Sequence, residues 1–244
     1  MKKITLLLLL IFSVSSVFAQ KSKYKRVFHE YYDARPLHFG FLFGLAGSSY
    51  NYVALNSGSD VILSPKHFGF QIGGVANYAF NRHIELKTGI NVALFERHLD
   101  YYLSTNIPIK SGLQTDNLNY LRESTWLEIP VSIKFRSIRR KNHRFFVLAG
   151  AKFGIEANTR DKDFSSLSSD YNHTIYAKKS DLALEYGFGF EQFFQFFKFA
   201  PEIRFSHGIF NIYQAPTTSD PVAQRLNEIK HLNTHTVSLI LNFE

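Results

Sequence analysis

The chain contains no cysteine, only one methionine and one tryptophan, and seven prolines in 244 residues. Without cysteine it can be neither a lipoprotein nor a disulfide-stapled scaffold, and it has no thiolate to offer a metal ion. After residue 19 it also has no apolar run that approaches a transmembrane helix, which needs about 20 residues. Any part of the mature chain that crosses a membrane is therefore expected to do so as β-strands.

The first residues have the three parts of a secretory signal peptide. Lys2 and Lys3 form the basic start, residues 4–12 form the apolar segment, and Ala19 ends a small-residue cleavage site. We expect cleavage after Ala19, so that the mature chain starts at Gln20 and is exported. Loss of the two lysines lowers the formal net charge of +8 by two. A modest positive charge suits contact with anionic lipid or an acidic partner, and an exported chain of this kind is not expected to bind nucleic acid.

Apolar and polar residues alternate in residues 84–94. Ile84 and Ile90 fall on one face and Glu85 and Lys87 on the other, as in a β-strand with one apolar side. The length and the alternation both suit a strand tilted across a bilayer. The same pattern recurs about eight times along the chain. We predict strands over residues 37–46, 68–80, 84–94, 126–136, 145–157, 181–190, 198–205 and 235–243.

The connections between these strands are alternately short and long. The short ones are residues 81–83, 137–142 and 191–197, and the long ones are residues 47–67, 95–125, 158–180 and 206–234. This arrangement is typical of an eight-stranded up-and-down barrel of the outer-membrane type, with short turns in the periplasm and long loops outside. We therefore predict an all-β, antiparallel transmembrane β-barrel over residues 37–244. The signal peptide (1–19) and a periplasmic N-terminal tail (20–36) precede it, and both termini are expected in the periplasm.

A soluble eight-stranded ligand carrier is the main structural alternative, because it shows the same alternation with its apolar face turned inward. Glycine favours the membrane barrel. On a water-facing strand surface glycine weakens the strand without gain, whereas inside a narrow barrel it leaves room for large charged neighbours. The polar faces of the predicted strands carry Gly69, Gly73, Gly89, Gly150, Gly154, Gly187 and Gly189.

If the apolar faces meet lipid, the charged residues of the strands point into the barrel. Charges in such a confined interior are tolerated when they are paired. We therefore expect a nearly neutral, salt-bridged core and, in a barrel this narrow, no open pore. The residues predicted to form interior ion pairs are Glu85, Lys87, Glu128, Lys134, Lys152, Glu156, Glu185, Glu202 and Arg204, and Arg136, Asp181, Glu191 and Lys198 share their face.

The chain shows no local motif of an enzyme or a metal centre. The ten histidines include no HExxH, and the four-residue spacing of His231 and His235 falls in a strand or loop, where it does not bring two ligands together. There is no G-x-S-x-G and no glycine-rich phosphate loop. A Ser–His–Asp site assembled from separate strands, as in some outer-membrane hydrolases, would leave no such local signature. We expect no enzyme activity, no metal, no cofactor and no small-molecule substrate.

The entry into the first predicted strand, Y-Y-D-A-R-P-L-H-F-G-F over residues 31–41, is the most distinctive stretch. It resembles the start of the PorT family (SprT in gliding bacteria), whose members enter strand one through R-x-hydrophobic-H-F-G-F/Y. Residues 126–135 are similar to an L-E-I-P strand common in these Bacteroidetes barrels. Residues 232–244, from L-N-T-H-T to F-E, are similar to the family's closing strand, although His235 stands where we expect an arginine.

The resemblance spans nearly the whole mature chain. It implies an outer-membrane component of the type IX secretion system, needed for export of cargo proteins and, in gliding species, of adhesins. Outer-membrane lipid and other secretion components would be its partners, with no enzyme activity and no cofactor. The alternative is a generic small barrel that acts as an adhesin or membrane stabiliser through its long loops. The motif residues that the resemblance offers for partner contact are Arg35, Pro36, His38, Phe39, Gly40 and Phe41.

Three local features lead to further expectations. Pro130 falls on the inward face and lacks a ladder donor, which predicts a bulge or a local break in pairing. Trp126 begins a predicted strand, where an interfacial anchor is expected. The basic and aromatic tail, residues 21–36, suits a disordered leader, a barrel plug or a docking peptide for a periplasmic partner.

Overall fold

The computed structural model describes residues 27–54, 61–102, 117–159, 173–174, 177–214 and 229–244. The predicted signal peptide and residues 20–26 of the predicted tail lie outside these ranges. No helix among the described residues is long and apolar enough to cross a membrane. One turn of 3-10 helix, Tyr32–Ala34, precedes the strands. The strands are β1 (Leu37–Ala54), β2 (Val61–Leu63), β3 (His67–Ala79), β4 (Ile84–Tyr102), β5 (Asn117–Arg136), β6 (His143–Thr159), β7 (His173–Thr174), β8 (Ser180–Phe193), β9 (Lys198–Gly208) and β10 (Ile229–Phe243).

Eight long strands close into an antiparallel barrel, which confirms the predicted fold. They follow one another in the order β1–β3–β4–β5–β6–β8–β9–β10, and β10 pairs with β1 to complete the circle. At this seam the ladder runs from Phe41, opposite Phe243, to Ala54, opposite Ile229. The two short strands belong to the same sheet and pair with long strands at the long-loop end. β2 pairs with β4 beyond the end of β3, and β7 pairs in parallel with β5.

The two ends of the barrel differ. One end carries the short turns between β3 and β4, β5 and β6, and β8 and β9, and we call it the short-turn end. The described start of the chain and its last residue meet there: Ala79 N donates to Pro36 O (2.7 Å), and Lys198 N donates to Glu244 O (2.6 Å). The opposite end carries the longer connections, parts of which lie outside the described residues, and we call it the long-loop end.

Most strands continue further towards the long-loop end than the sequence predicts. β1 extends to Ala54 instead of ending at residue 46, β4 extends to Tyr102, and β5 begins at Asn117 instead of residue 126. β4 and β5 remain paired as far as Tyr102 and Asn117. The apolar alternation marks only the part of a strand that faces lipid, whereas the backbone ladder continues beyond it. The hydropathy pattern therefore underestimates strand length on this side.

The apolar faces of the long strands point outward, so the alternative of a soluble carrier with an apolar interior does not hold. Phe68 exposes 89% of its surface and Phe39 exposes 69%. Soluble monomers rarely expose apolar patches of this extent, and lipid is the solvent that suits such a belt. On β5 the belt runs from Leu127 to Phe135 at alternate positions. Nine tilted residues rise roughly 21 Å, close to the ~25 Å apolar band of outer-membrane barrels.

The prediction that Trp126 anchors the barrel at a membrane interface is wrong. Trp126 lies inside β5 and on its inward face, where it is buried. Its ring packs with Ala46, Ala93 and Phe95, and its Nε1 donates a hydrogen bond to Ser124 Oγ (2.7 Å). The alternation along the strand already places this residue inside. The apolar pattern ends near residue 126, but β5 begins at Asn117, so Trp126 is not at the end of the strand.

Pro130 interrupts the ladder between β4 and β5, as expected. The two strands pair up to Thr88, opposite Val131, and again from Asn91, opposite Glu128. The register is the same on both sides of the gap, so the local break is the correct alternative and a bulge is not. The Thr88 hydroxyl donates to the carbonyl oxygen of Pro130 across the gap (3.0 Å).

The inward glycines allow close approach between strands. A methyl group on Gly189 would lie 2.6 Å from Phe146 Cζ and against the carbonyl oxygen of Pro201. A methyl group on Gly73 would lie 2.8 Å from Asn91 Cα. The sequence suggested that glycine makes room for charged side chains. At these two positions the space is instead taken by the neighbouring backbone and by a packed aromatic ring.

Candidate functional site

Eight charged side chains crowd the short-turn end of the barrel interior. They come from five strands and from both ends of the described chain, and all of them except Asp33 are almost fully buried. Four are acids and four are bases, so the set is formally neutral. We call it the terminal cluster, and it consists of Asp33, Glu85, Lys134, Arg136, Arg144, Glu191, Lys198 and Glu244.

Glu191 lies at the centre of the terminal cluster. Its Oε1 accepts a hydrogen bond from Lys134 Nζ (2.5 Å) and lies 3.4 Å from Lys198 Nζ. Its Oε2 accepts from Arg144 Nε (2.5 Å). Lys134 Nζ also reaches Glu85 Oε1 at 3.2 Å. Each buried charge is thus compensated by groups on other strands, which is the condition under which a buried ion is tolerated. The cluster fastens β4, β5, β6, β8 and β9 to one another.

A second set of six charges, the middle cluster, follows along the barrel axis. Lys87 Nζ lies 2.7 Å from Glu202 Oε2, and Glu202 also pairs with Arg204. Arg204 reaches Glu185 (3.2 Å), which lies 3.5 Å from Lys152 Nζ. Acids and bases alternate across the lumen, and this set too is formally neutral. Its members are Lys87, Glu128, Lys152, Glu185, Glu202 and Arg204, with Lys152 and Glu128 2.9 Å apart.

Arg97 and two aromatic side chains pack together inside the barrel towards the long-loop end. The guanidinium of Arg97 lies over the rings of Phe95 (4.7 Å) and Trp126 (5.6 Å), and its Nε donates to Ser48 Oγ (2.7 Å). Glu156, which the sequence assigned to the interior ion pairs, is buried on the inward face of β6. A gap lined by Arg97, Trp126 and their neighbours has a volume of about 10 Å³, which is room for one water molecule. This gap is therefore too small for a solute larger than water.

Residues 27–36 lie across the short-turn end, and we call them the cover segment. Phe28 N donates to Asn142 Oδ1 (2.9 Å), and Arg139 Nη1 donates to His29 O (2.9 Å), so the turn between β5 and β6 holds the segment. Further along, Asp33 forms an ion pair with Arg144 inside the barrel (2.8 Å). The described part of the tail therefore covers the short-turn end, which agrees with the plug alternative, while docking of a periplasmic partner stays a prediction.

Tyr32 is the residue of the cover segment that reaches deepest. Its hydroxyl donates to Glu244 Oε2 (2.6 Å), and its ring stacks on His38 at 3.8 Å. Burial, together with the Glu244 carboxylate, raises the pKa of this hydroxyl, so it stays a donor. Burial alone would raise the pKa of the Glu244 carboxyl, but Lys198 and Lys134 lower it to about 2. Lys198 Nζ lies 2.5 Å from the Glu244 carboxylate.

Two of the six motif residues hold this arrangement in place. His38 stacks on Tyr32, and one of its ring nitrogens is 3.0 Å from the Tyr32 carbonyl oxygen. Gly40 leaves room for the end of the chain, because a methyl group there would lie 2.6 Å from Glu244 Cγ and against the carbonyl oxygen of Phe243. Both residues therefore allow the cover segment to pack against Glu244, the last residue.

The other four motif residues face outward. Phe39 and Phe41 are exposed on the lipid-facing side of β1. Arg35 and Pro36 are exposed at the short-turn end, at the junction between the cover segment and β1. Of the motif, these two residues are the ones accessible to a molecule that approaches this end of the barrel.

Some residues of the terminal cluster were not predicted. Arg144 lies just before the predicted start of its strand, although extending the alternation back from Lys152 places it inside. Asp33 and Glu244 lie outside the strands, where no periodic pattern applies. The spacing of His231 and His235 does not create a site: His235 Nδ1 lies 3.1 Å from a nitrogen of His207 on the neighbouring strand.

A closed eight-stranded barrel with an apolar exterior and an ion-paired interior defines the class of small outer-membrane barrels. The sequence agrees: residues 18–214 match the family model described as outer membrane protein beta-barrel domain. The chain belongs to this family and is an outer-membrane protein.

Solved structures of other barrels are similar in fold. OprG from Pseudomonas aeruginosa is 11% identical, with a TM-score of 0.43 and coverage of 85% of this chain and 92% of that chain. Neisserial surface protein A is 11% identical, with a TM-score of 0.41 and coverage of 85% and 98%. Ail of Yersinia pestis, solved with the heparin analogue sucrose octasulfate, is 13% identical, with a TM-score of 0.34 and coverage of 84% and 96%. No curated protein matches the chain.

Proposed function

We propose that this protein is a non-enzymatic, non-conducting outer-membrane barrel that serves the type IX secretion system as a component or assembly factor. The observation behind the non-conducting role is the terminal cluster, which fills the lumen and is closed by the cover segment. The assignment to type IX secretion rests on the three stretches of sequence that resemble the PorT family.

In this proposal the short-turn end lies in the periplasm, because outer-membrane barrels place short turns there. The signal peptide, residues 1–19, is removed, and the new N-terminus remains on the periplasmic side. Arg35 and Pro36 then face periplasmic partners, which we propose are other secretion components. N-terminal sequencing of protein from purified outer membranes should start at Gln20, and a chain that retains Lys2 would contradict this step.

Two features support a role without catalysis or transport of solutes. The charged interior groups compensate one another in two neutral clusters, which is how structural ions are held in a confined space. The gap beside Arg97 holds about one water molecule. Purified protein in planar lipid bilayers should therefore show no steady ion conductance. A stable open channel at low voltage would contradict the closed barrel.

Deletion of the gene tests the secretion role. Cargo proteins should be lost from the medium and the cell surface and accumulate in the periplasm, and the wild-type gene should restore them. Arg35→Glu should impair this rescue while the barrel still folds. Arg82→Glu, an exposed residue in a turn at the same end, is the matched control and should rescue fully. Normal secretion of every cargo in the deletion strain would overturn the proposal.

A second candidate function is that of a surface barrel acting as an adhesin or membrane stabiliser. The observation that favours it is the extension of β4 and β5 to Tyr102 and Asn117, well beyond the apolar belt. Replacement of residues 103–116 by a short glycine–serine turn would separate the two functions. Loss of surface binding with normal cargo export would favour the adhesin, and the reverse would favour the secretion role.

A further inference from the structure

A group of metal-ligating side chains lies at the long-loop end, outside the interior clusters. It consists of His67, the first residue of β3, and of Glu96 and His98 on β4. One ligand atom from each of the three residues lies within 4.8 Å of the other two. Neither the sequence motifs nor the proposed function uses these residues.

The backbone explains why the three side chains meet although they are dispersed in the sequence. β4 pairs with β3 up to Leu94, opposite Phe70, and then with β2 from Asp100, opposite Leu63. Across the intervening gap the register shifts by one residue. His67 itself is still paired with Ser48 of β1, and the ligand atoms of His67, Glu96 and His98 meet beside this gap in the β3–β4 ladder.

The geometry is close to that of a coordination site. His98 Nε2 lies 2.7 Å from Glu96 Oε1, and the rings of His67 and His98 stack with centroids 3.5 Å apart. Ligand atoms of a tetrahedral zinc ion are roughly 3.3 Å apart, given bonds of ~2.0–2.1 Å. Because the lone pairs of an imidazole lie in its ring plane, the two stacked rings would rotate on binding so that one nitrogen of each points at a common ion next to the Glu96 carboxylate.

A buried ring nitrogen points to the same conclusion. Nε2 of His67 is shielded from solvent and has no hydrogen-bond partner among the described residues, which is unfavourable for a buried polar group. Coordination to a cation would satisfy it. Two carboxylates also lie near His67, those of Glu96 and Asp100, and they favour a positive ion at this place.

We propose that His67, Glu96 and His98 bind a divalent transition-metal ion such as Zn²⁺. Two imidazoles and one carboxylate are a ligand set of open zinc sites, in which the fourth position is filled by water or by a ligand from another molecule. The site lies at the long-loop end, so the ion is available to a partner that approaches this end of the barrel. This inference goes beyond the proposed secretion role and does not depend on it.

The test uses the full mature chain, folded in detergent micelles and freed of metal with a chelator. Zn²⁺ titrated by calorimetry should bind with one ion per chain, and Co²⁺ should give the visible absorption bands of a low-symmetry site with nitrogen ligands. His67→Ala and Glu96→Gln should each weaken Zn²⁺ binding at least roughly a hundredfold, since each ligand supplies about 3 kcal/mol of the binding free energy. His83→Ala, at the short-turn end, is the matched control and should bind like the wild type.

Gel mobility of the folded barrel shows whether a variant has lost its fold. His67 and Glu96 are partly exposed, whereas His98 is buried. The test therefore uses substitutions of His67 and Glu96, which should fold, and not of His98. Wild-type protein that binds no Zn²⁺ at micromolar concentrations would overturn the proposal. So would binding of equal strength in the wild type and the His67→Ala and Glu96→Gln variants, because the ion would then be held elsewhere.

Discussion

Neutralisation of Glu191 should destabilise the barrel more than any change to an exposed charge. Glu191 accepts hydrogen bonds from Lys134 and Arg144 at 2.5 Å each and lies 3.4 Å from Lys198. Glu191→Gln keeps the shape of the side chain but leaves the terminal cluster with four bases and three acids. Breaking a buried ion pair by removing one partner costs about 3–5 kcal/mol, because the remaining charge is left uncompensated. We expect a loss of this size in the free energy of unfolding.

A substitution of Lys134, the ion-pair partner of Glu191, shows whether the loss of stability comes from the unbalanced charge. Lys134→Met removes one base and leaves four acids against three bases, so alone it should cost a similar amount. The double variant restores neutrality with three of each. Its destabilisation should therefore be smaller than the sum of the two single losses by about 2 kcal/mol or more, within the range of coupling between residues in contact. Glu30→Gln, an exposed acid on the cover segment, is the control and should change stability by less than about 0.5 kcal/mol.

The assay is urea denaturation of residues 20–244 folded in phospholipid vesicles. The fluorescence of the single tryptophan, Trp126, reports unfolding because its ring is buried in the lumen, and gel mobility provides a second measure of the folded fraction. Strictly additive losses in the double variant would refute the reasoning. Losses below about 1 kcal/mol for both single variants would do the same, because they are the values of solvated ion pairs.

Three further predictions concern the hydrogen bond between Tyr32 and Glu244, the close approach of strands at Gly73, and the pH dependence of stability. Tyr32→Phe removes the hydrogen-bond donor to Glu244 and should lower the free energy of unfolding by about 1.5 kcal/mol or more. Tyr31→Phe, at a side chain that is 81% exposed, is the control and should leave the free energy of unfolding unchanged. Equal effects of the two substitutions in urea titrations would contradict the prediction. Gly73→Ala should lower the free energy of unfolding by about 1–3 kcal/mol, because the added methyl group overpacks the interior. Gly74→Ala is the control and should leave stability unchanged, because nothing lies within 4 Å of the added methyl group. An unchanged stability of Gly73→Ala would argue against the close approach of the strands. The Glu244 pKa falls from 4.5 to about 2 on folding, so its contribution of about 3 kcal/mol is complete above pH 4.5 and is lost as the pH falls towards 2. Glu244→Gln should flatten that acid limb of the stability curve, and an unchanged limb would place its origin in other carboxyl groups.

The barrel itself could be predicted from sequence because it depends on one simple property. Side chains of a strand alternate between its two faces, and lipid outside with charge inside makes the alternation visible at each strand. The inward position of Pro130 and the break in the ladder beside it follow from the same rule. Glycine on the polar face helped to decide which side was inside, although its detailed role at Gly73 and Gly189 is strand approach.

The limits of the prediction have equally physical causes. Beyond the belt, β4 and β5 keep their backbone hydrogen bonds while their outward side chains need no longer be apolar, so the ends of these strands carry no hydropathy signal. This is why the sequence predicts an interfacial anchor at Trp126, which lies inside the barrel. The cover segment binds through single contacts such as the one between Phe28 and Asn142, which repeat with no period. His67 and His98 come together beside a gap in the β3–β4 ladder, which is not visible in either strand alone.

The ion pairs have a consequence for how the chain enters the membrane. Some of them join neighbouring strands, but Lys87 meets Glu202 only when segments 115 positions apart come together, and Tyr32 meets Glu244 across 212 positions. A sheet that has not yet closed would hold unmatched lysine and glutamate side chains, which the hydrocarbon phase does not tolerate. A partly closed barrel is therefore not expected to be a stable intermediate in the bilayer. We therefore expect the barrel to insert and close in one step, and a strand in the wrong register to prevent insertion because its charged side chains have no partners.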